Sequence, residues 1–125
     1  MIEREKIQNR RNLILQHAER IYGLLWREMN RWIEEGQERG LKIETNGSPF
    51  DKCVIVPNSK SRTLTLSLNK ERHAISVSGL KAPLELLLNV CPDNTVCLKY
   101  EGAEIDIDKA AVLILDPFLF PEFVA

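Results

Sequence analysis

The chain has 125 residues, which suits one compact domain and leaves too little length for two separate cores. Its residues are 44% hydrophobic and 28% charged, close to globular averages, and this excludes wholesale disorder or a fibrous repeat. With 17 basic and 18 acidic residues the formal net charge is −1, so the basic excess of a general nucleic-acid-binding protein is missing.

The amino-terminal region predicts one long amphipathic helix from about Glu3 to about Glu38. It contains no proline and ends near Gly36 or Gly40. At about 1.5 Å per residue, such a helix is longer than a domain of this size is wide, so its first turns should project. The apolar residues recur at helical spacing along one stripe: Ile7, Ile14, Ala18, Ile21, Leu25 and Trp32.

After Gly40 the pattern changes to an alternation with a period of two, which predicts half-buried antiparallel strands. The alternation is clearest in residues 63–68 and 75–78, and Asn69–Arg72 is a natural hairpin connection between them. Turn-forming residues at 46–49 and 57–60 mark the earlier connections. Four strands are therefore expected before residue 82.

Residues 82–90 fit two patterns. Leu84, Leu86 and Leu88 alternate as in a strand, whereas Pro83 followed by leucine and glutamate is typical of the first turn of a short helix. Because leucine and glutamate favour helix and β-branched residues are scarce here, propensity favours the helix.

The carboxyl-terminal part predicts a hairpin over 95–107 that turns at Glu101 and Gly102, then a short helix. Asp108 is a candidate N-cap for a helix over 109–115, which Pro117 ends. Residues 1–125 are thus expected to form a single α+β domain, with a long N-terminal helix packed on an antiparallel β-sheet of about six strands and a short C-terminal helix. This order of elements is loosely similar to the folds of small dimeric secretion chaperones, an analogy that requires a helix at 82–90.

Location is predicted from the apolar runs and the cysteines. The first residues contain no signal-like apolar run, and the longest such run, Ala110–Leu115, is too short to span a bilayer. Cys53, Cys91 and Cys97 are odd in number and follow no C-x-x-C spacing. We therefore expect unpaired thiols in a cytoplasmic protein with no membrane contact, with Cys91 and Cys97 pairing only if their turn places them opposite one another.

One face of the long helix combines leucine with arginine. Two leucines between arginines on an otherwise polar side are more than solubility requires, although a solvated face is the simpler interpretation. We hypothesise that this stripe meets an acidic surface, such as the Glu104–Asp108 edge of a second copy. The candidate interface residues on the helix are Leu13, Arg20, Leu24, Arg27 and Arg31.

The carboxyl-terminal tail holds three of the four phenylalanines, Phe118, Phe120 and Phe123. An exposed aromatic tail would be a sticky patch, so it should dock on its own domain, on a second subunit or on another protein. Just before it, carboxylates alternate with isoleucine and predict an acidic strand face at the end of the sheet, without the glycine and distal glutamate of a calcium loop. These carboxylates are Glu104, Asp106 and Asp108.

No spacing typical of a phosphate loop, a zinc protease or a nucleophile elbow occurs, and His17 and His73 lack an adjacent orienting partner. We therefore expect no catalytic residue, cofactor or metal, and favour a non-catalytic protein-binding or assembly domain that acts as a homodimer or binds another protein. One alternative is a small-molecule-binding half-barrel or minor enzyme that uses His73 or the carboxylates. The other, which the charge balance disfavours, is a weak nucleic-acid contact through Arg4, Lys6, Arg10, Arg11, Lys60, Arg62, Lys70 and Arg72.

Overall fold

The computed structural model describes the backbone of residues 3–48, 51–56, 62–93 and 95–119, and the side chains of these residues apart from 3–5 and 48. Two helices and seven strands occur in it. In chain order they are α1 (Glu3–Glu38), β1 (Glu44–Ser48), β2 (Asp51–Val56), β3 (Arg62–Asn69), β4 (Ala74–Ser78), β5 (Leu84–Val90), β6 (Val96–Tyr100), β7 (Ala103–Ile105) and α2 (Ile107–Leu119).

The seven strands form one antiparallel sheet in which each strand pairs with its neighbours in sequence. Because every connection joins adjacent strands, short turns suffice, and the predicted hairpins at 69–72 and at Glu101–Gly102 are confirmed. The expected turn at 46–49 begins later, since β1 continues to Ser48, and the one at 57–60 lies outside the described residues. The α+β fold class is confirmed, with seven strands in place of about six.

Both helices cover one face of the sheet. Their buried residues join the inward-facing residues of β2 to β6 in a single apolar core, in which Leu25 and Ile114 are fully enclosed. The opposite face carries hydroxyl-rich positions of β3 and β4 and the exposed Leu87. No helix among the described residues is both long and apolar enough to cross a membrane.

The long helix α1 is confirmed, including its projecting start. Residues 6–12 are all exposed, and Ile14 is the first buried position of the stripe. Ile7 continues the stripe but is 64% exposed. A Cβ added at Gly23 would meet nothing within 4 Å, so this glycine is tolerated and serves no close backbone approach.

The expectation of a short helix at 82–90 is wrong, because residues 84–90 form strand β5. This strand pairs with β4 on one side and β6 on the other, and Leu86 and Leu88 point into the core. Pairing on both sides and burial of alternate leucines outweigh the helix propensity of a few tenths of a kcal/mol per residue. The analogy with secretion chaperones required a helix here and therefore fails.

The second helix begins earlier and ends later than expected. Its first backbone bond runs from the Ala110 N–H to the Asp106 carbonyl at 2.8 Å, which places the helix start before Asp108. It also continues through Pro117, because Phe118 is buried and is held by Arg62 of β3. The Arg62 guanidinium donates to the Phe118 carbonyl at 2.7 Å and lies 5.4 Å from the Phe118 ring centre. A cation at the last carbonyls of a helix is also favoured by the helix dipole.

The expectation of three unpaired thiols is wrong for two of them, because Cys91 and Cys97 form a disulfide. The turn between β5 and β6 places them close together, with a Cα–Cα distance of 6.2 Å. This separation suits a disulfide. Pairing was expected only if the turn placed the two cysteines opposite one another, and the turn does so. Cys53 on β2 is the free cysteine in the described part of the chain.

Candidate protein-binding surface

An apolar groove runs along the junction between the end of α1 and the second half of α2. It has a volume of about 370 Å³, and its walls include Trp32, Leu41, Val112, Leu115 and Leu119. Trp32 and Leu41 are each 41% exposed and Val112 is 37% exposed, although all three are large and apolar. Such side chains are more often buried in a monomer, and a cluster of them at one groove makes this groove the candidate functional site of the described residues.

This groove continues towards the middle of α1. Trp32 and Val112 also line a second depression of about 510 Å³, together with Arg31 and Asp108. Arg31 and Asp108 in turn line a third, of about 790 Å³, with Arg27 and the partly exposed Leu24. We call this continuous region the helix-pair surface: Leu24, Arg27, Arg31, Trp32, Leu41, Asp108, Val112 and Leu119.

Charges of both signs flank the apolar part of the helix-pair surface. Arg31 forms an ion pair with Glu28 and lies 5.8 Å from the centre of the Trp32 ring. Arg39 pairs with Glu35 at 3.1 Å at the edge of the groove. The α1 side thus presents both arginines and glutamates to the surface, with Arg27, Arg31 and Arg39 beside Glu28, Glu34 and Glu35. The α2 side supplies the carboxylates of Asp108 and Asp116 and the ammonium of Lys109.

The interface residues that were predicted on α1 lie at different places in the structure. Leu24, Arg27 and Arg31 come together at the helix-pair surface. Arg20 is exposed one turn before them, and Leu13 packs against the core. The predicted stripe therefore supplies three residues to this surface.

The predicted tail and acidic residues also lie at different places. Phe118 is buried in the core of its own chain, while Phe120 and Phe123 lie outside the described residues. Of the three carboxylates, only Glu104 lies in a strand, since β7 ends at Ile105. Asp106 precedes α2, and Asp108 in the first turn of that helix is the one that reaches the helix-pair surface.

Trp32, Leu41 and Val112 were missed as surface residues. The stripe of α1 assigns Trp32 to the core, and its exposure depends on where α2 crosses α1, which no local pattern encodes. One signal was present: α2 has apolar residues on nearly all sides, including Val112, Leu113 and Leu119 in addition to its buried face. A helix that is apolar all round needs more cover than one sheet supplies.

Within the described part of the chain, the two clear pKa shifts arise away from the helix-pair surface. Burial raises the pKa of Tyr22 to about 12, and its hydroxyl is bound between two strands. Hydrogen bonds from the Thr95 side chain and backbone lower the pKa of Asp93, in the turn between β5 and β6. Both groups thus have structural partners, and neither lines the grooves described above.

No protein-family model, curated protein or solved structure matches this chain.

Proposed function

We propose that this chain is a non-catalytic protein-binding or assembly domain that acts as a homodimer through the helix-pair surface. The exposed cluster of Trp32, Leu41 and Val112 carries the proposal. Large apolar and aromatic side chains at a groove, ringed by arginine and carboxylate, are the composition found at the centre and rim of protein interfaces. Covering these side chains with a partner removes their apolar area from water, and this stabilises the complex by about 25 cal/mol for each Å² that is buried.

The charges favour a second copy of the same chain as the partner. In a two-fold dimer the same surface is used by both chains, so it must complement itself. In the two-fold arrangement that we propose, α1 of one chain packs against α2 of the other, so that Arg27 and Arg31 face the carboxylates of Asp108 and Asp116 across the interface. The arginines of the predicted stripe then meet an acidic surface of the second copy. Of the carboxylates predicted for that surface, Asp108 is the one that takes part.

The half-barrel alternative receives less support. The inward face of the sheet is filled by apolar side chains from both helices, with Leu66, Ile75 and Leu86 almost fully enclosed. A small-molecule site needs a concave cavity with a few convergent polar groups. Of the residues proposed for such a site, His73 lines none of the three depressions described above, and Asp108 is the one carboxylate of the three that lines any of them.

A nucleic-acid contact also receives less support. Three of the basic residues predicted for this contact have partners within the chain. Arg62 binds the Phe118 carbonyl, Lys70 pairs with Glu19, and Arg72 pairs with Glu85. Phosphate contacts would have to compete with these pairs. Affinity for nucleic acid depends on many such contacts acting together.

We propose a cytoplasmic location, and the Cys91–Cys97 disulfide is the observation that opposes it, because structural disulfides persist mainly in oxidising compartments. Rapid alkylation of the thiols of the protein in its native cells decides between the cytoplasm and an oxidising compartment. Three alkylated thiols support the cytoplasm, whereas one alkylated thiol contradicts it.

Light scattering over a range of concentrations tests the dimer. We expect the chain to have twice its monomer mass, and we expect Trp32→Glu or Val112→Glu to weaken association by about tenfold or more, because each buries a charge in an apolar interface. Leu87→Glu is the matched control, since Leu87 is 46% exposed on the opposite face of the sheet. A wild-type monomer at all concentrations, or equal loss in the control, contradicts the proposal.

Charge reversal tests the two-fold arrangement. One variant carries Arg27→Glu and Arg31→Glu, and the other carries Asp108→Lys and Asp116→Lys. Each alone should fail to dimerise, because like charges then face each other across the interface. Mixed together they should form a heterodimer, because opposite charges face each other again, and raised salt should weaken it. A mixture that stays monomeric contradicts this arrangement.

A further inference from the structure

A cluster of possible metal ligands lies on the sheet face opposite the helix-pair surface. Asn89 of β5 is the Cα partner of Cys97 in β6, so Cys91, two residues further on, is a diagonal neighbour of Cys97 on the same face. Cys91 is buried and Cys97 is half-buried. Within the chain their sulfurs are joined as a disulfide.

Glu104 completes this cluster from the next strand. It is the Cα partner of Lys99, which lies two residues beyond Cys97 and therefore on the same face. One carboxylate oxygen of Glu104 and the two Sγ atoms all lie within 4.8 Å of one another. Around a tetrahedral zinc ion, with bonds of about 2.3 Å to sulfur and about 2.0–2.2 Å to oxygen, neighbouring ligand atoms lie about 3.6–3.8 Å apart. The two sulfurs, bonded to each other in the oxidised chain, therefore move apart after reduction, and rotation of the exposed Glu104 side chain brings its carboxylate closer to them.

We propose that reduction of the Cys91–Cys97 disulfide creates a binding site for a thiophilic divalent cation such as Zn²⁺, held by the two thiolates and the Glu104 carboxylate. A dithiol reductant supplies two electrons and two protons, the S–S bond breaks into two thiols, and the dithiol becomes a cyclic disulfide. The cation then displaces the two thiol protons into solvent. The fourth coordination position is left to water.

The turn between the cysteines keeps them close after reduction. The Cys91 N–H donates to the Thr95 carbonyl at 2.7 Å, and the Asp93 carboxylate accepts from the Thr95 hydroxyl at 2.6 Å. These bonds do not depend on the disulfide. The two thiols therefore remain preorganised, which lowers the entropic cost of closing a chelate around the ion.

The donor set selects the class of cation. Thiolates favour zinc, cadmium and copper(I), whereas magnesium and calcium prefer oxygen ligands alone. The ammonium of Lys99 places a positive charge beside the cluster, because Lys99 is the Cα partner of Glu104 across β6 and β7. This charge repels a bound cation. Lys99→Gln should therefore tighten cation binding.

Cadmium titration of the full chain tests the site. The protein is reduced with a dithiol, desalted without oxygen and titrated with Cd²⁺, which gives an ultraviolet charge-transfer band when thiolates bind it. We expect one ion per reduced chain and none per oxidised chain. Glu104→Gln should weaken binding by about tenfold, a typical cost of disturbing a metal site. Cys53→Ser is the matched control and should bind as the wild type does.

Three outcomes overturn the proposal: no band after reduction, an unchanged band in Cys97→Ser, or one ion shared between two chains. If a cysteine variant fails to fold, the oxidised wild type and Glu104→Gln still test the site. The Glu104 side chain is exposed, so its substitution leaves the fold intact. Because the cluster lies on the face away from the helices, a failure here leaves the dimer proposal untouched, and a monomeric protein leaves this one untouched.

Discussion

The hydroxyl of Tyr22 joins the long helix to two neighbouring strands. It donates to the Leu66 carbonyl at 2.5 Å and accepts from the Lys52 N–H at 3.2 Å, so it satisfies one acceptor and one donor of the sheet. Tyr22→Phe should lower the free energy of unfolding by about 1–3 kcal/mol, because two buried polar groups lose their partner. Urea unfolding at neutral pH measures this, with Tyr100→Phe as the control. An equal loss in both variants would contradict the role assigned to the Tyr22 hydroxyl.

The same residue gives the fold a pH dependence. Its pKa rises from the ordinary tyrosine value of 10.0 to about 12 in the folded chain, because burial disfavours the phenolate. Above pH 10 the unfolded chain loses this proton first, so the free energy of unfolding falls as the pH rises towards 12. Tyr22→Phe should show a smaller fall over that interval in the same urea experiment.

Among the elements, β5 shows most directly why propensity alone misled. Leu86 is fully buried, whereas its neighbour Leu87 is 46% exposed on the opposite face. Leu86→Ala should therefore cost about 2–5 kcal/mol of unfolding free energy, and Leu87→Ala no more than about 0.5 kcal/mol. Urea midpoints of the two variants provide the comparison. Similar losses at both positions would be inconsistent with the strand.

Apart from β5, the order of elements was predictable because its signals are local. The stripe of α1, the alternation at 63–68 and the turn at Glu101–Gly102 each involve residues close in sequence. What could not be predicted depends on distant partners. Arg62 anchors Phe118 from 56 positions away, and this contact carries α2 past Pro117. Trp32 is exposed because of where α2 crosses, so the groove became visible only in the fold.

At the scale of the whole molecule, the two ends of the chain differ in what they contribute. The start of α1 projects, with residues 6–12 exposed, whereas the last described residues close the core. Both lie on the helix side of the sheet, and the cysteine cluster lies on the other. The assembly that we propose through the helices and the cation binding that we propose on the sheet therefore use separate surfaces.

A pair of truncations separates folding from assembly at the carboxyl end. A chain that ends at Pro117 loses the buried Phe118 ring and the Arg62 contact, so it should unfold about 3–5 kcal/mol more easily. A chain that ends at Leu119 keeps both and should retain most of the stability, as measured by urea unfolding. If Trp32 and Val112 carry the interface, this longer chain should also keep twice the monomer mass in light scattering. A folded monomer ending at Leu119 would instead assign the interface to residues 120–125.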